Sequence, residues 1–292
     1  MLEFKRPSLD DVEIIKEKFK NVTGDNCQFC LGSLYNWGPV YNIYVAFGYG
    51  CLVTKGGKNG RVNYCFPQGD GDKKALIEEL IKEGNGKISF YGLDENDIQF
   101  LEKEFAGQFE FKENRDSADY IYLVSDLAEL KGKKYHSKRN HIKYFEKTYN
   151  WTYEKLTVEN IPDCIRMTEK WIEENEDKLE DGIDVELDVI KRAFDYFDAL
   201  GFTGGLIRVD GEVIAWTLGE KLSEDTFCTH FEKAFSSFRG AYPMINREFA
   251  KNELGSYVFV NREEDMGIEG LRKAKLSYRP VKLGIIYNAT KR

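Results

Sequence analysis

The run Tyr257-Val258-Phe259-Val260, followed by NREEDMGIEGLRKAKLSYRP (Asn261–Pro280), decides how the chain is read. Four aromatic and β-branched residues predict a strand. Gly267 and Gly270 frame a tight turn, and Leu271–Leu276 predicts a short helix stopped before Pro280. A strand that feeds a helix N-terminus is α/β architecture. These twenty residues also hold five cations (Arg262, Arg272, Lys273, Lys275, Arg279), four carboxylates (Glu263, Glu264, Asp265, Glu269) and Tyr278. Strand exits of α/β proteins hold anionic ligands, because unpaired N–H groups and the helix dipole point outward there. The plainer alternative is a solvated charged turn; the mixed signs, Tyr278 and the enclosing apolar strands weigh against it.

Working outward, the pattern predicts a helix over 8–20, strands at Tyr41–Phe47, Gly50–Val53 and Arg61–Phe66, and a turn at Gly56–Gly60. Helices follow at Asp72–Glu83 and Asp94–Phe105, with strands at Lys87–Tyr91, Phe109–Lys112 and Tyr120–Val124. The second half repeats the order. It reads as strand Trp151–Leu156, helices Val158–Asn175 and Asp184–Leu200, and a hairpin of 204–209 and 212–219 about Asp210-Gly211. Strand Thr226–Phe231, helix Tyr242–Lys251 and a last strand, Val281–Tyr287, complete it. The fold class is α/β with mixed (α+β) sheets in two similar modules, 1–130 and 151–292, joined by a basic helix over 131–150.

Composition sets the outer limits. The chain has 292 residues, 42% hydrophobic and 32% charged, enough for one large or two ordinary domains. No apolar run approaches the ~20 residues that span a bilayer, and MLEFKRPSLDD turns acidic at once, so a soluble cytoplasmic protein is expected. The net charge of −8 argues against broad nucleic-acid binding. Six cysteines form no dense framework, and Cys27–Cys30 is a lone CxxC, so reduced, packed thiols and no metal are expected.

Two further stretches carry chemistry. KGKKYHSKRNHIKYFEK (Lys131–Lys147) holds seven Lys/Arg and one acid. It reads equally as a phosphate-gripping helix, with Lys138 and Arg139 central, and as a solvated linker whose Tyr135, Ile142 and Phe145 face inward. DTFCTHFEKAFSSFRGAY (Asp225–Tyr242) runs from strand to helix. Period-two alternation puts Cys228, His230 and Glu232 on one face. A His and a Glu side by side on a strand suit a cleft, with Glu232 or His230 as general base, or else satisfy each other on an exposed face. Arg239-Gly240 opens the next helix as a plausible phosphate cradle.

The strings KKYHSKRNHIKYFEK, FEKAFSSFRGAYPMINREFA and NREEDMGIEGLRKAKLSYRP resemble soluble bacterial proteins related to the C-terminal domain of phosphatidylglycerol lysyltransferase. That resemblance covers nearly the whole chain. It implies two tandem GNAT-type acyltransferase modules similar to Fem-type peptidyltransferases. It also implies transfer of an aminoacyl group from aminoacyl-tRNA, or an acyl group from a thioester such as acyl-CoA, to an acceptor amine or hydroxyl. The usual acyl-CoA loop, a basic residue followed by spaced glycines, is reduced here to Arg239-Gly240. On this reading the site lies in the C-terminal module. Arg239, Gly240, Lys138 and Arg139 hold donor phosphates, and Glu232 or His230 deprotonates the acceptor, a small molecule or peptide. Arg262, Lys275 and Arg279 bind an acid group or the oxyanion, Glu263 or Asp265 binds an ammonium, and Tyr278 protonates the leaving atom. Two other classes stay open: a non-catalytic module binding an anionic ligand or partner chain in the same cleft, and a nucleic-acid or membrane-surface binder acting through Lys131–Lys147.

Overall fold

A computed structural model describes residues 2–57, 62–175 and 183–292. The chain divides into two compact units, Met1–Asp119 with Glu264–Glu269 and Leu283–Arg292, and Tyr120–Glu263 with Gly270–Lys282. In chain order the elements begin α1 (Val12–Phe19), α2 (Leu31–Tyr35), α3 (Gly38–Tyr41), β1 (Tyr44–Gly48), β2 (Cys51–Gly56), β3 (Asn63–Cys65), α4 (Lys73–Glu83), β4 (Ser89–Leu93) and α5 (Glu95–Glu104). There follow β5 (Phe109–Leu123), α6 (Val124–Glu129), α7 (His136–Thr148), β6 (Trp151–Lys155), α8 (Ile161–Asn175), α9 (Ile183–Asp195) and α10 (Phe197–Leu200). The chain ends with β7 (Thr203–Val209), β8 (Glu212–Lys221), β9 (Thr226–Ala234), α11 (Ala241–Asn252), β10 (Phe259–Asn261), α12 (Glu269–Leu276) and β11 (Lys282–Lys291). Among the described residues, no helix is long and apolar enough to cross a membrane.

In the first unit β1, β2 and β3 pair antiparallel in turn, β3 and β4 pair parallel, and β4 pairs antiparallel with β11. Asp72 caps α4 by accepting the Ala75 N–H at 3.0 Å, which sets Leu76, Ile77 and Leu80 on the buried face. These pack with Phe66, Phe90, Phe105 and Phe109, whose rings meet mostly edge-on at 5.9–6.1 Å.

Two differences from the sequence pattern have clear physical causes. Tyr41 ends a helical turn instead of opening a strand, because Pro39 suits a first helical turn and Asn42 takes a left-handed φ of 50° that closes it. Phe109–Lys112 and Tyr120–Val124 are not two strands but parts of one 15-residue strand, β5. The charged stretch between them, Glu113–Asp119, is strand as well, so side-chain polarity does not interrupt the extended run. Residues 58–60 of the predicted turn Gly56–Gly60, and Arg61 of the predicted Arg61–Phe66 strand, lie outside the described residues.

In the second unit the end of β5 pairs antiparallel with β10, β10 pairs parallel with β9, and β9, β8, β7 and β6 run antiparallel. Trp216 of β8 is fully buried and donates to Thr168 Oγ1 of α8 at 3.0 Å; the Thr168 hydroxyl in turn donates to the Cys164 carbonyl at 2.7 Å. That chain locks α8 onto the sheet. Leu218 faces Phe231 and Gly219 faces Thr229, so His230 is the extra residue of a β-bulge on β9.

Gly219 is what the bulge requires. A Cβ there would lie 2.0 Å from the Cys228 carbonyl oxygen and 2.6 Å from the Phe227 ring. Backbone cannot yield as a flexible side chain does. Gly219→Ala is therefore expected to cost about 3 kcal/mol, at or above the usual range for overpacking. The check is the urea midpoint, with a wild-type midpoint ruling the argument out.

Candidate functional site

β9 and β10 are paired over three positions only, the last being Asn261 with Cys228. Past that pair the strands diverge, and their carboxyl ends leave a gap of the kind in which α/β sheets hold ligands. Side chains fill it. From β9 come His230 and Glu232; from the chain leaving β10 come Arg262 and Glu263. The register matches, since His230 stands two residues beyond Cys228 and Glu263 two beyond Asn261. The exit has a fixed shape because Asn261 Oδ1 accepts the Glu263 N–H at 2.8 Å and Glu263 takes a φ of 56°. The Lys275 ammonium, on α12, donates to the Arg262 and Glu263 carbonyls and holds the turn from outside.

Glu232 and Arg262 form a buried ion pair, with Arg262 Nη2 donating to Glu232 Oε1 at 2.8 Å and both side chains nearly enclosed. Glu232 Oε2 accepts from Asn246 Nδ2 of α11 at 3.1 Å. The guanidinium rests 4.9 Å from the Tyr278 ring centre and 5.6 Å from that of Tyr122. Burial works against the charge on Arg262, but Glu232, Tyr122 and Tyr278 outweigh it and raise its pKa. Tyr278 is anchored by its carbonyl, which accepts the Tyr135 hydroxyl at 3.0 Å. Burial pushes the hydroxyls of Tyr122 and Tyr278 above the usual tyrosine range, so both stay protonated.

Lys138 of α7 lies against the same ring, with Nζ 3.7 Å from the Tyr278 centroid. Its partial burial and the nearby Arg262 charge, only partly offset by Glu232, lower its pKa to about 8. One cluster thus holds a carboxylate, a permanent cation and an amine that titrates near neutrality. Two polar atoms here are unmet among the described residues, Arg262 Nη1 and Asn246 Oδ1.

His230 is drawn elsewhere. Its Nδ1 lies 2.7 Å from Glu263 Oε1 and its Nε2 2.8 Å from Glu220 Oε1. Carboxylates accept only, so both ring nitrogens donate and the ring is imidazolium, with no lone pair to offer. Burial opposes that charge, but Cys228 and the two carboxylates hold the pKa well above 6.5. Glu232 and His230, read from alternation as one face, therefore serve two clusters, because the bulge at His230 breaks the alternation.

The remaining predicted residues are distributed more widely. The Arg139 guanidinium donates to the Leu130 and Gly132 carbonyls at the end of α6. Arg239 stacks on the exposed Tyr144 ring at 4.7 Å, and Arg279 sits on an exposed turn with a φ of 57°. Gly240 has a φ of 97°, and a Cβ there would come 2.5 Å from the His141 carbonyl oxygen, so it also lets α11 approach α7. Asp265 belongs to the first unit, fully buried against Arg115 at 3.3 Å. Cys27, Asp119 and Glu264, also of the first unit, bring a ligand-type atom each to within 4.8 Å of one another. Sequence reading missed Asn246, Glu220 and Tyr122. Each is one residue inside an ordinary helix or strand pattern, and only the fold brings it to the cluster.

The His230 clamp has a pH signature. Its folded pKa exceeds the ordinary 6.5, so above that value the folded state binds more protons than the unfolded state. Its contribution to stability is complete below about pH 6.5 and lost as pH rises through the folded value. Urea unfolding at stepped pH is expected to show this decline, and His230→Gln to flatten it. An equal slope in both proteins would refute the assignment.

Comparison with known proteins bears on the family and the fold. The sequence matches none of the curated proteins. A conserved protein of unknown function from Bacteroides thetaiotaomicron VPI-5482 is 38% identical, with a TM-score of 0.95 over 100% of both chains. L-PGS from Bacillus licheniformis superposes with a TM-score of 0.66 at 15% identity, covering 99% of this chain and 93% of that one. FemX gives 0.57 at 10% identity, over 99% and 96%. The fold is that of tandem GNAT-like acyltransferases. The family model for the C-terminal part of phosphatidylglycerol lysyltransferase matches residues 19–290, and with that span of agreement the chain belongs to this family.

Proposed function

We propose that the chain transfers an acyl or aminoacyl group from a thioester or an aminoacyl-tRNA to an acceptor amine or hydroxyl, at the Glu232–Arg262 cluster of the second unit. The family and the fold support the reaction class. The observation that carries the site is the buried Arg262, whose Nη1 has no partner among the described residues while Lys138 beside it titrates at about 8. Acyl transfer needs a fixed donor for the oxyanion and a proton carrier matched to ambient pH.

The roles follow from chemistry. Glu232 accepts a hydrogen bond from the acceptor's N–H or O–H and so aims its lone pair. That lone pair forms the new bond to the acyl carbon, and Arg262 Nη1 donates to the oxygen as it becomes anionic. The free amine of Lys138 receives the acceptor's proton. The bond from carbon to the leaving oxygen or sulfur then breaks, and the Lys138 ammonium returns the proton to it. Tyr278, held protonated, is a second donor to that atom and the platform for both cations. Arg239, the N-terminus of α11 at Gly240 and the exposed cations of α7 suit the donor's phosphates. A small molecule or peptide is the acceptor.

The test is transfer from lysyl-tRNA, alanyl-tRNA and acetyl-CoA to small amines and alcohols. Glu232→Gln and Lys138→Met are each expected to lower kcat at least ~100-fold, the lower end of what positioned acid–base groups supply. Lys138 has a lowered pKa, so its free-base fraction grows as pH rises; the wild-type rate should climb to a plateau above about pH 8, and Lys138→Met should abolish that climb. Wild-type rates in both variants would move the site elsewhere. Stabilisation by a donor without turnover of any would favour a binding module.

A further inference from the structure

Asn246 is nine-tenths buried in α11, and it has one arm committed and one unmet. Its Nδ2 donates to Glu232 Oε2 at 3.1 Å. The carboxylate can only accept, so this bond fixes which arm is nitrogen and which is oxygen. Oδ1, the other arm, is buried without a partner among the described residues. A buried acceptor left unmet is costly, and at a cluster of this chemistry it marks where a ligand hydrogen belongs.

We infer that Asn246 makes the site selective for a primary amine over a hydroxyl as the attacking group, an inference that rests on the acyl-transfer reading of the Glu232 cluster. A neutral primary amine has two hydrogens and one lone pair. With one hydrogen on Glu232 and the second on Asn246 Oδ1, the lone pair is left to face the acyl carbon. A hydroxyl that gives its single hydrogen to Glu232 has none for Oδ1, which stays unmet. Sites that hydrogen-bond a substrate group discriminate strongly against analogues lacking it. The step balances: nitrogen forms the C–N bond, the carbon–oxygen or carbon–sulfur bond of the donor breaks, and the nitrogen proton held by Glu232 passes by way of that carboxylate and Lys138 to the leaving atom. Asn246 also holds Glu232 in place, so it is a specificity-determining and positioning residue.

Glycinamide and glycolamide, which differ only in NH2 against OH, are the acceptor probes, with lysyl-tRNA, alanyl-tRNA and acetyl-CoA as donors. Wild type should prefer glycinamide at least tenfold in kcat/KM. Asn246→Ala should lower that preference about tenfold; loss of the bond that holds Glu232 slows both acceptors and leaves their ratio to report on Oδ1. Binding of the two acceptors to the intact protein, followed by NMR shifts, gives a second readout. Equal use of the two acceptors by wild type, or an unchanged ratio in Asn246→Ala, would overturn the inference and leave acyl transfer standing. Tighter binding of glycinamide that depends on Asn246, with no transfer from any donor, would uphold the selectivity and sink the acyl-transfer reading. Failure to bind or use either acceptor counts against the inference.

Discussion

The ion pair between Glu232 and Arg262 spans the point where β9 and β10 part, and the second unit's chemistry is organised around it. A guanidinium cannot be enclosed without compensation, because desolvation of a full charge costs several kcal/mol. Here the compensation comes from a carboxylate and two aromatic faces. Each contributor is fixed by something else: Glu232 by Asn246, Tyr278 by Tyr135, Tyr122 by its hydroxyl bond to the Lys275 carbonyl. The pair thus draws β9, α7, α11 and the turn after β10 into one arrangement.

Around the point where β9 and β10 part, three cations have different fates, and environment alone separates them. Arg262 keeps its charge because its intrinsic pKa is far above neutrality and a carboxylate adjoins it. His230 is pinned as imidazolium between two carboxylates. Lys138, partly buried and near a like charge, sits close to its titration point at neutral pH. Only the last can exchange a proton readily, and for that reason the proposed transfer gives it the proton-carrying role.

Much of this was legible in the chain. Tyr257–Val260 followed by charge and glycine marks a strand exit, and the residues that meet at the gap, Arg262 and Glu263 on one side and His230 and Glu232 on the other, stand in the two stretches where patterning concentrates chemistry. Lys138 was legible only as one cation among seven in a basic helix. Nothing in the spacing distinguishes it from Lys143, which is exposed, because the distinction is contact with Tyr278, 140 residues away in the chain. The bulge at His230 was illegible for a similar reason. Alternation assumes unbroken pairing, and Gly219 on the neighbouring strand is what breaks it.

The sequence by itself determined the local elements, the α/β class and the two ends of the gap, because apolar period, capping residues and turn glycines act over a few residues. The tertiary structure decided which charges meet. Asn246 reaches Glu232, Glu220 reaches His230, and residues 264–269 and 283–292 return to the first unit, all through contacts distant in the chain. Burial is the physical reason. The charge state of Lys138, the fixed imidazolium of His230 and the unmet arm of Asn246 all depend on what surrounds a side chain, and that exists only once the chain is folded.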